Sequence, residues 1–236
     1  MDKEILFIEI GNTNIKVVEN SSNEIGILPS SKKNLLKILK SSQQKYVLNS
    51  NNKLASFLNK YHLKNKLWLF KINTYLDDFN FFKNINPTEV GNDLLFLSLY
   101  LKNNVHSDGI VISHGTCLTS ISKKNGQIVS ISIGLGFSLT NIILNERFGF
   151  QYYQDLTFQF GDTTNHAINL HEIFVIKGII ETNKQWLSHN FPIILTGNGF
   201  NEDWKNYLSK DYQNINFSAN LTLLSFRDWI CHKFLK

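Results

Sequence analysis

The stretch Ile8-Glu9-Ile10-Gly11-Asn12-Thr13-Asn14-Ile15-Lys16 carries most of the fold prediction. An apolar strand ends near a carboxylate, a short turn follows, and a lysine lies on the returning strand. Gly11 lets the backbone approach a phosphate, Asn12 and Thr13 present amides and polar side chains, and Lys16 offers a positive charge. Glu9 is a candidate ligand for Mg²⁺, directly or through water. An ordinary solvent-facing hairpin explains the same residues, because Asn and Gly are favoured in turns.

The pattern of this hairpin returns in the second half of the chain. Strands are predicted at 4–10, 14–19 and 24–28, and again at 108–113, 117–122 and 127–133. The turn Gly115-Thr116 stands where the first meander has Gly11-Asn12-Thr13. We interpret the repeat as an internal duplication, in which two equivalent hairpins clamp a nucleotide's phosphates from both sides.

Helices and strands alternate after each meander, which predicts an α/β chain. With its duplicated meanders, the chain resembles the α/β fold class of two similar RNase H-like lobes, duplicated βββαβα units of the actin, sugar kinase and Hsp70 type. We place the lobes at residues 1–105 and 106–236. Further predicted strands are 45–49, 67–70 and 193–195; further predicted helices begin at Ser30 or Ser31 or lie near 52–61, 92–102, 138–146, 164–182, 200–209 and 224–234.

Composition narrows the function classes. The net charge of +5 comes almost entirely from lysines, and Arg147 and Arg227 are the only arginines. Because arginine dominates specific base and phosphate recognition, we expect no nucleic-acid partner. The two cysteines, Cys117 and Cys231, match no metal-ligand spacing and suit a reducing compartment. The apolar run 5–8 is too short for a signal peptide or a membrane span, so we expect a cytoplasmic protein without a membrane partner.

Two further motifs make the comparison more specific. Pro87-Thr88-Glu89-Val90-Gly91-Asn92-Asp93 precedes an apolar helix, and Leu195-Thr196-Gly197-Asn198-Gly199 follows a late strand. With the two hairpins, these blocks resemble the type III pantothenate kinase family over nearly the whole chain. Further similarity covers Val47–Ser50, Gly161–Thr164 and Leu221–Leu224.

The resemblance implies a role for each matching residue. Asp93 would be the catalytic base. The residues implied in ATP and phosphate binding are Glu9, Gly11, Asn12, Thr13, Lys16, Gly115, Thr116 and Thr119, with Gly197 and Gly199 on the adenosine side. Gly91, Asn92 and Thr164 would line the substrate pocket.

The resemblance also implies the reaction and its partners. The γ-phosphoryl group of ATP would pass to pantothenate, giving 4'-phosphopantothenate in the first step of coenzyme A biosynthesis. Mg²⁺ would be held at Glu9, and a monovalent cation, K⁺ or NH₄⁺, near Ser113. The resemblance further implies a homodimer.

Three positions depart from the family's pattern. Glu9 replaces an aspartate but keeps the carboxylate, Leu94 stands where the family has arginine, and Ser113 stands where it has the second hairpin's aspartate. Each lost charge at a phosphoryl centre costs about 2–4 kcal/mol of transition-state stabilisation. The alternative is therefore a catalytically weakened or inactive relative that keeps the fold for nucleotide binding or regulation. Asp93 also fits an ordinary acidic residue at a helix start, which is compatible with catalysis.

Overall fold

The computed structural model describes residues 4–64, 67–150, 153–156, 161–188 and 190–235. The chain divides into two compact units. Unit 1 comprises Met1–Phe82, Asn86–Tyr100 and Leu221–Lys236, and unit 2 comprises Lys83–Ile85 and Leu101–Asn220.

Unit 1 contains a five-stranded mixed sheet in the order β3-β2-β1-β4-β5. The first three strands form the predicted antiparallel meander, and β4 and β5 continue the sheet in parallel. The elements are β1 (Ile5–Ile10), β2 (Asn14–Glu19), β3 (Ile25–Pro29), α1 (Lys32–Leu39), β4 (Gln44–Asn49), α2 (Asn52–Lys64), β5 (Leu67–Leu69) and α3 (Asn92–Asn104), of which the part up to Tyr100 belongs to unit 1.

Unit 2 repeats this arrangement, with strand order β8-β7-β6-β9-β10. The antiparallel meander again lies beside two parallel strands, so the predicted duplication and fold class are confirmed. The elements are β6 (Gly109–His114), β7 (Cys117–Lys124), β8 (Gln127–Leu135), α4 (Phe137–Phe148), α5 (Thr164–Lys184), β9 (Ile193–Thr196), α6 (Glu202–Leu208) and β10 (Ile215–Phe217). The sequence analysis missed β10, a three-residue edge strand.

The last helix, α7 (Leu221–Phe234), groups with unit 1, whereas the sequence-based division assigned all of 106–236 to the second lobe. It contacts β1, β2 and β4. The buried Phe226 ring packs edge-on against Phe7, with ring centroids 6.5 Å apart, and the Ser225 hydroxyl donates a hydrogen bond to the Phe96 carbonyl at 2.8 Å. These buried contacts explain why the two ends of the chain complete one unit.

Every residue of β1 is buried because both faces of the unit 1 sheet are covered. Leu35 and Leu39 of α1 and Leu54 and Leu58 of α2 pack against one face. On the other face, α7 lies beside an aromatic cluster. This double cover fixes the end of β1, where the first hairpin begins.

The segment between β5 and α3 contains three short 3-10 helices, Ile72–Thr74, Leu76–Phe79 and Pro87–Glu89. Phe79 is fully buried and packs edge-on against Phe96 of α3. Phe70, Phe79 and Phe81 all belong to the core. The segment therefore anchors the start of α3 instead of running free over the surface.

Candidate functional site

The first hairpin is held from behind by two side chains. The Gly11 carbonyl accepts hydrogen bonds from the Ser30 hydroxyl at 2.8 Å and from Asn51 Nδ2 at 3.2 Å. Its amide donates to the Asn14 carbonyl at 2.9 Å. The side chains of Asn12 and Thr13 remain exposed at the tip. The structure thus presents the tip of the predicted phosphate-binding turn on a fixed support.

Glu9 and Lys16 face each other across the first two strands. They are register partners in the β1–β2 pair, and Lys16 Nζ lies 3.5 Å from Glu9 Oε2. Glu9 is only 7% exposed, and within the described part of the chain its Oε2 makes this ion pair but no hydrogen bond. Burial raises the pKa of Glu9, partly offset by Lys16, and the negative charge of Asp93 raises this pKa further.

Asp93 lies in the first turn of α3, which is anchored to the end of β4. Its backbone N–H donates to the Ser50 hydroxyl at 3.1 Å, and Asn92 Nδ2 donates to the Asn49 carbonyl at 2.6 Å. Burial raises the pKa of the Asp93 carboxyl, and backbone amides, the Lys16 charge and the Ser50 hydroxyl partly oppose that rise. The carboxylate is therefore oriented by its surroundings and holds a proton more readily than an exposed aspartate.

The absence of a side chain at Gly91 leaves space for the Asp93 carboxylate. A Cβ atom built on Gly91 would lie 2.8 Å from Asp93 Oδ1, closer than real Cβ contacts come. Gly91 is otherwise exposed, so the carboxylate oxygen is the one atom that a small side chain there would strike. The glycine of the predicted Gly91-Asn92-Asp93 motif thus has a local steric reason.

The structure brings Glu9, Lys16 and Asp93 together within unit 1. The charge of Asp93 affects the pKa of Glu9, and the charge of Lys16 affects both carboxyls, which requires proximity. Two carboxyls with raised pKa values beside one lysine form an arrangement typical of functional sites. It can bind a cation through oxygen, accept a proton, and offer a positive charge to an anion.

The acidic pair also fits the way in which Mg²⁺ binds beside nucleotides. No cluster of three or more His, Cys, Asp or Glu that could hold a metal occurs among the residues described. Mg²⁺ commonly uses only one or two carboxylates and takes its other ligands from water and phosphate oxygens. Glu9 Oε2, buried and without a hydrogen bond in the described residues, is a suitable ligand of that kind.

The second hairpin is supported by the start of α4. The Gly115 amide donates to the Cys117 carbonyl at 2.9 Å, and the Thr116 carbonyl accepts from the Gly136 amide at 3.1 Å. A Cβ atom on Gly136 would lie 2.4 Å from the Gly115 carbonyl oxygen, so the two backbones are in close contact. The second predicted phosphate-binding turn is therefore backed by the backbone at the start of α4.

Ser113 and Thr119 are register partners in the β6–β7 pair, and Thr119 is buried. This register places both candidate residues at the hairpin end of the unit 2 sheet. Ser113 thus lies at this end of the sheet, and the monovalent cation expected near its hydroxyl stays a prediction.

The Gly197–Gly199 turn, predicted for the adenosine side, packs against His114 at the end of the second hairpin. The Gly199 amide donates to the His114 carbonyl at 2.7 Å. Gly197 has a φ of +93°, and a Cβ atom there would lie 2.5 Å from that carbonyl oxygen. A Cβ atom on Gly199 would lie 2.6 Å from the His114 ring. Both glycines are required for this close approach.

Sequence reasoning missed the partner of His114. Its Nε2 lies 2.8 Å from Glu172 Oε1 of α5, and His114 is 1% exposed. The two residues are far apart in sequence, and neither belongs to a recognisable motif. The nearest signal was the position of His114 directly before Gly115-Thr116.

Two other predicted positions differ in their exposure. Thr164 is the exposed first residue of α5 in unit 2, whereas Gly91 and Asn92 belong to unit 1. Leu94, which the sequence resemblance pairs with an arginine, is 5% exposed and belongs to the core. The structure thus gives Leu94 a packing role.

No protein-family model matches the chain, and no curated protein sequence matches it significantly. Solved structures do match the fold of this chain. One is a Campylobacter jejuni protein designated as a Baf family transcriptional activator, with TM-score 0.63, 17% identity, and coverage of 96% of this chain and 98% of that one. Another is a protein from Sinorhizobium meliloti designated as a 2-dehydro-3-deoxygalactonokinase, with TM-score 0.56, 8% identity, and coverage of 97% and 98%.

An archaeal actin homologue, Ta0583, superposes with TM-score 0.51 and 10% identity over 98% of this chain and 100% of its own. Together the similarities establish the fold: the chain has the actin-like and sugar-kinase-like α/β architecture. Sequence identities this low do not show which substrate or partner this chain has. Within the described residues, no helix is both long and apolar enough to cross a membrane.

Proposed function

We propose that this chain is an ATP-dependent phosphotransferase in which Asp93 acts as the catalytic base. The observation that carries this proposal is the convergence of Glu9, Lys16 and Asp93 beside the first hairpin. A raised pKa makes a carboxylate a stronger proton acceptor, as general-base catalysis near neutral pH requires. The fold, shared with a protein designated as a sugar kinase, is compatible with this chemistry.

In the proposed reaction, the Asp93 carboxylate accepts the proton of an attacking hydroxyl group. That oxygen attacks the γ-phosphorus of ATP in line, and ADP leaves. Lys16 offers its charge to a phosphate, and the amides of the first turn contribute hydrogen bonds. Glu9 would hold Mg²⁺, which when bound neutralises charge on the phosphate oxygens.

We propose pantothenate as the acceptor alcohol, on the resemblance to type III pantothenate kinases. Thr164 and the Gly91-Asn92 pair are its proposed contacts. The requirement for K⁺ or NH₄⁺ near Ser113, the nucleotide clamp formed by the two hairpins, and the cytoplasmic location rest on sequence reasoning alone and stay predictions.

The proposed homodimer is supported by an apolar surface on unit 2. None of the residues of α4 is buried, although the helix is rich in large apolar side chains. Such exposed apolar surface marks association sites. The exposed large apolar side chains on β8, α4 and α5 are Ile133, Leu135, Ile142, Ile143, Phe148, Phe174 and Val175.

A nucleotide-binding relative without kinase activity is the second candidate. It is favoured by Leu94, whose side chain is buried where a phosphate-binding cation would be needed. Such a protein would bind ATP and release no ADP in response to an alcohol.

The test is pantothenate-dependent ADP formation by the purified chain with ATP, Mg²⁺ and K⁺. We expect turnover in the intact protein, its loss in Asp93→Asn, and its retention in Asp77→Asn. Asp77 is a matched control because it is an exposed aspartate of the same unit. Binding of ATP without pantothenate-dependent ADP would support the second candidate and contradict the first.

A further inference from the structure

His114 connects four parts of unit 2. Its carbonyl accepts from Gly199, its ring lies directly under Gly199, and Nε2 meets both Glu172 of α5 and the first residue of α4. The ring centroid also lies 5.2 Å from that of Phe200. The end of β6, the 197–199 turn, α4 and α5 therefore share one buried side chain.

One ring nitrogen has two partners with opposite requirements. Phe137 N–H points at His114 Nε2 from 2.9 Å and needs a bare nitrogen as acceptor. Glu172 Oε1, at 2.8 Å from the same nitrogen, needs an N–H donor when it is ionised. A neutral ring with a bare Nε2 accepts from Phe137 and carries its proton on Nδ1, whereas the tautomer with the proton on Nε2 donates to Glu172. The two contacts of Nε2 thus use different tautomers of the ring.

The other nitrogen, Nδ1, restricts the choice further. It is buried with no hydrogen-bond partner among the described residues, and it lies against the Gly199 backbone. A proton on Nδ1 would leave a buried donor unsatisfied, which is costly. The tautomer with the proton on Nε2, which donates to Glu172, is therefore the one that leaves no buried donor of the ring unsatisfied.

We propose that His114 and Glu172 form a positioning pair, which holds the 197–199 turn and the second hairpin in place for nucleotide binding. The inference deepens the proposed function and rests on it for the nucleotide. Among the described contacts of His114, the one with a titratable side chain is that with Glu172. The other neighbours are the Phe137 amide, the Gly199 backbone and the Phe200 ring.

Two substitutions separate positioning from packing. His114→Gln places an amide donor and a carbonyl acceptor at the end of one side chain, so Glu172 and Phe137 can both be satisfied. His114→Phe keeps a ring of similar shape but removes every hydrogen bond at Nε2. We expect H114F to bind ADP about tenfold more weakly than the intact protein, and H114Q to bind it within about twofold.

Amide hydrogen exchange of residues 136–138 and 197–199 completes the test without using nucleotide. Exchange should accelerate about tenfold in H114F and stay unchanged in H114Q. Equal exchange and equal ADP affinity in H114F and the intact protein would refute the positioning role. Failure of the intact protein to bind ADP would instead refute the proposed function, while the exchange data would still decide whether His114 positions the turn.

Discussion

Substituting alanine for Gly91 should reduce activity while leaving the fold intact. The new methyl group would lie 2.8 Å from Asp93 Oδ1, and an ordinary contact of this kind is longer by about 0.5 Å, so the carboxylate must shift by roughly that distance. Gly91 has no positive φ, and the flexible carboxylate is the near neighbour. The free energy of unfolding should therefore stay the same or rise by about 0.5 kcal/mol.

Displacing a catalytic group by about 1 Å costs up to about a hundredfold in rate, so a shift half as large should lower kcat about tenfold. The assay is pantothenate-dependent ADP release, with urea denaturation of the same preparation as the stability control. Unchanged kcat in a stable Gly91→Ala protein would refute the claim that the seating of Asp93 matters for chemistry. A large loss of stability would refute the steric account itself.

Three further perturbations follow from the two sites. Lys16→Met should raise the pKa values of Glu9 and Asp93 further, because it removes the positive charge that lowers both; carboxyl NMR titration measures this, and unshifted titrations would contradict their proximity. Asp93→Asn should stabilise the protein relative to the intact chain, and this gain in the free energy of unfolding should be larger at pH 7 than at pH 4. A raised carboxyl pKa means that the native state binds more protons than the unfolded state, so the stability of the intact protein falls as pH rises above about 4; parallel urea titrations at both pH values test the sign. Gly199→Ala should destabilise the protein by about 1–3 kcal/mol, because the new methyl group would lie 2.6 Å from the buried His114 ring; thermal and urea unfolding would show an unchanged stability if this packing is wrong.

Local sequence patterns were sufficient to predict most of the fold. The meanders were predictable because alternating apolar residues are interrupted by Gly-Asn-Thr and Gly-Thr turns, and the structure confirms both. The strand Ile215–Phe217 was not predictable, since three residues carry too little periodicity to be told from a loop. The grouping of α7 with unit 1 depends on long-range packing of Phe226, which no local signal reports.

For the candidate site, too, the sequence predicted some of the residues and missed others. Glu9 and Lys16 were expected together because a tight turn joins their strands, and Asp93 was found through the motif before α3. Glu172 was not found, because its contact with His114 joins elements that only the tertiary fold brings together. The steric role of Gly91 likewise appears only once the Asp93 rotamer is known.

The most direct test of the central claim is a single-turnover experiment with γ-phosphoryl-labelled ATP, Mg²⁺, K⁺ and pantothenate, followed by mass spectrometry of the pantothenate. With enzyme in excess, our account predicts that the label appears on pantothenate with the intact protein, and that Asp93→Asn binds ATP but transfers no label. Unlabelled pantothenate at full ATP occupancy, or equal transfer by the Asp93→Asn protein, would contradict it.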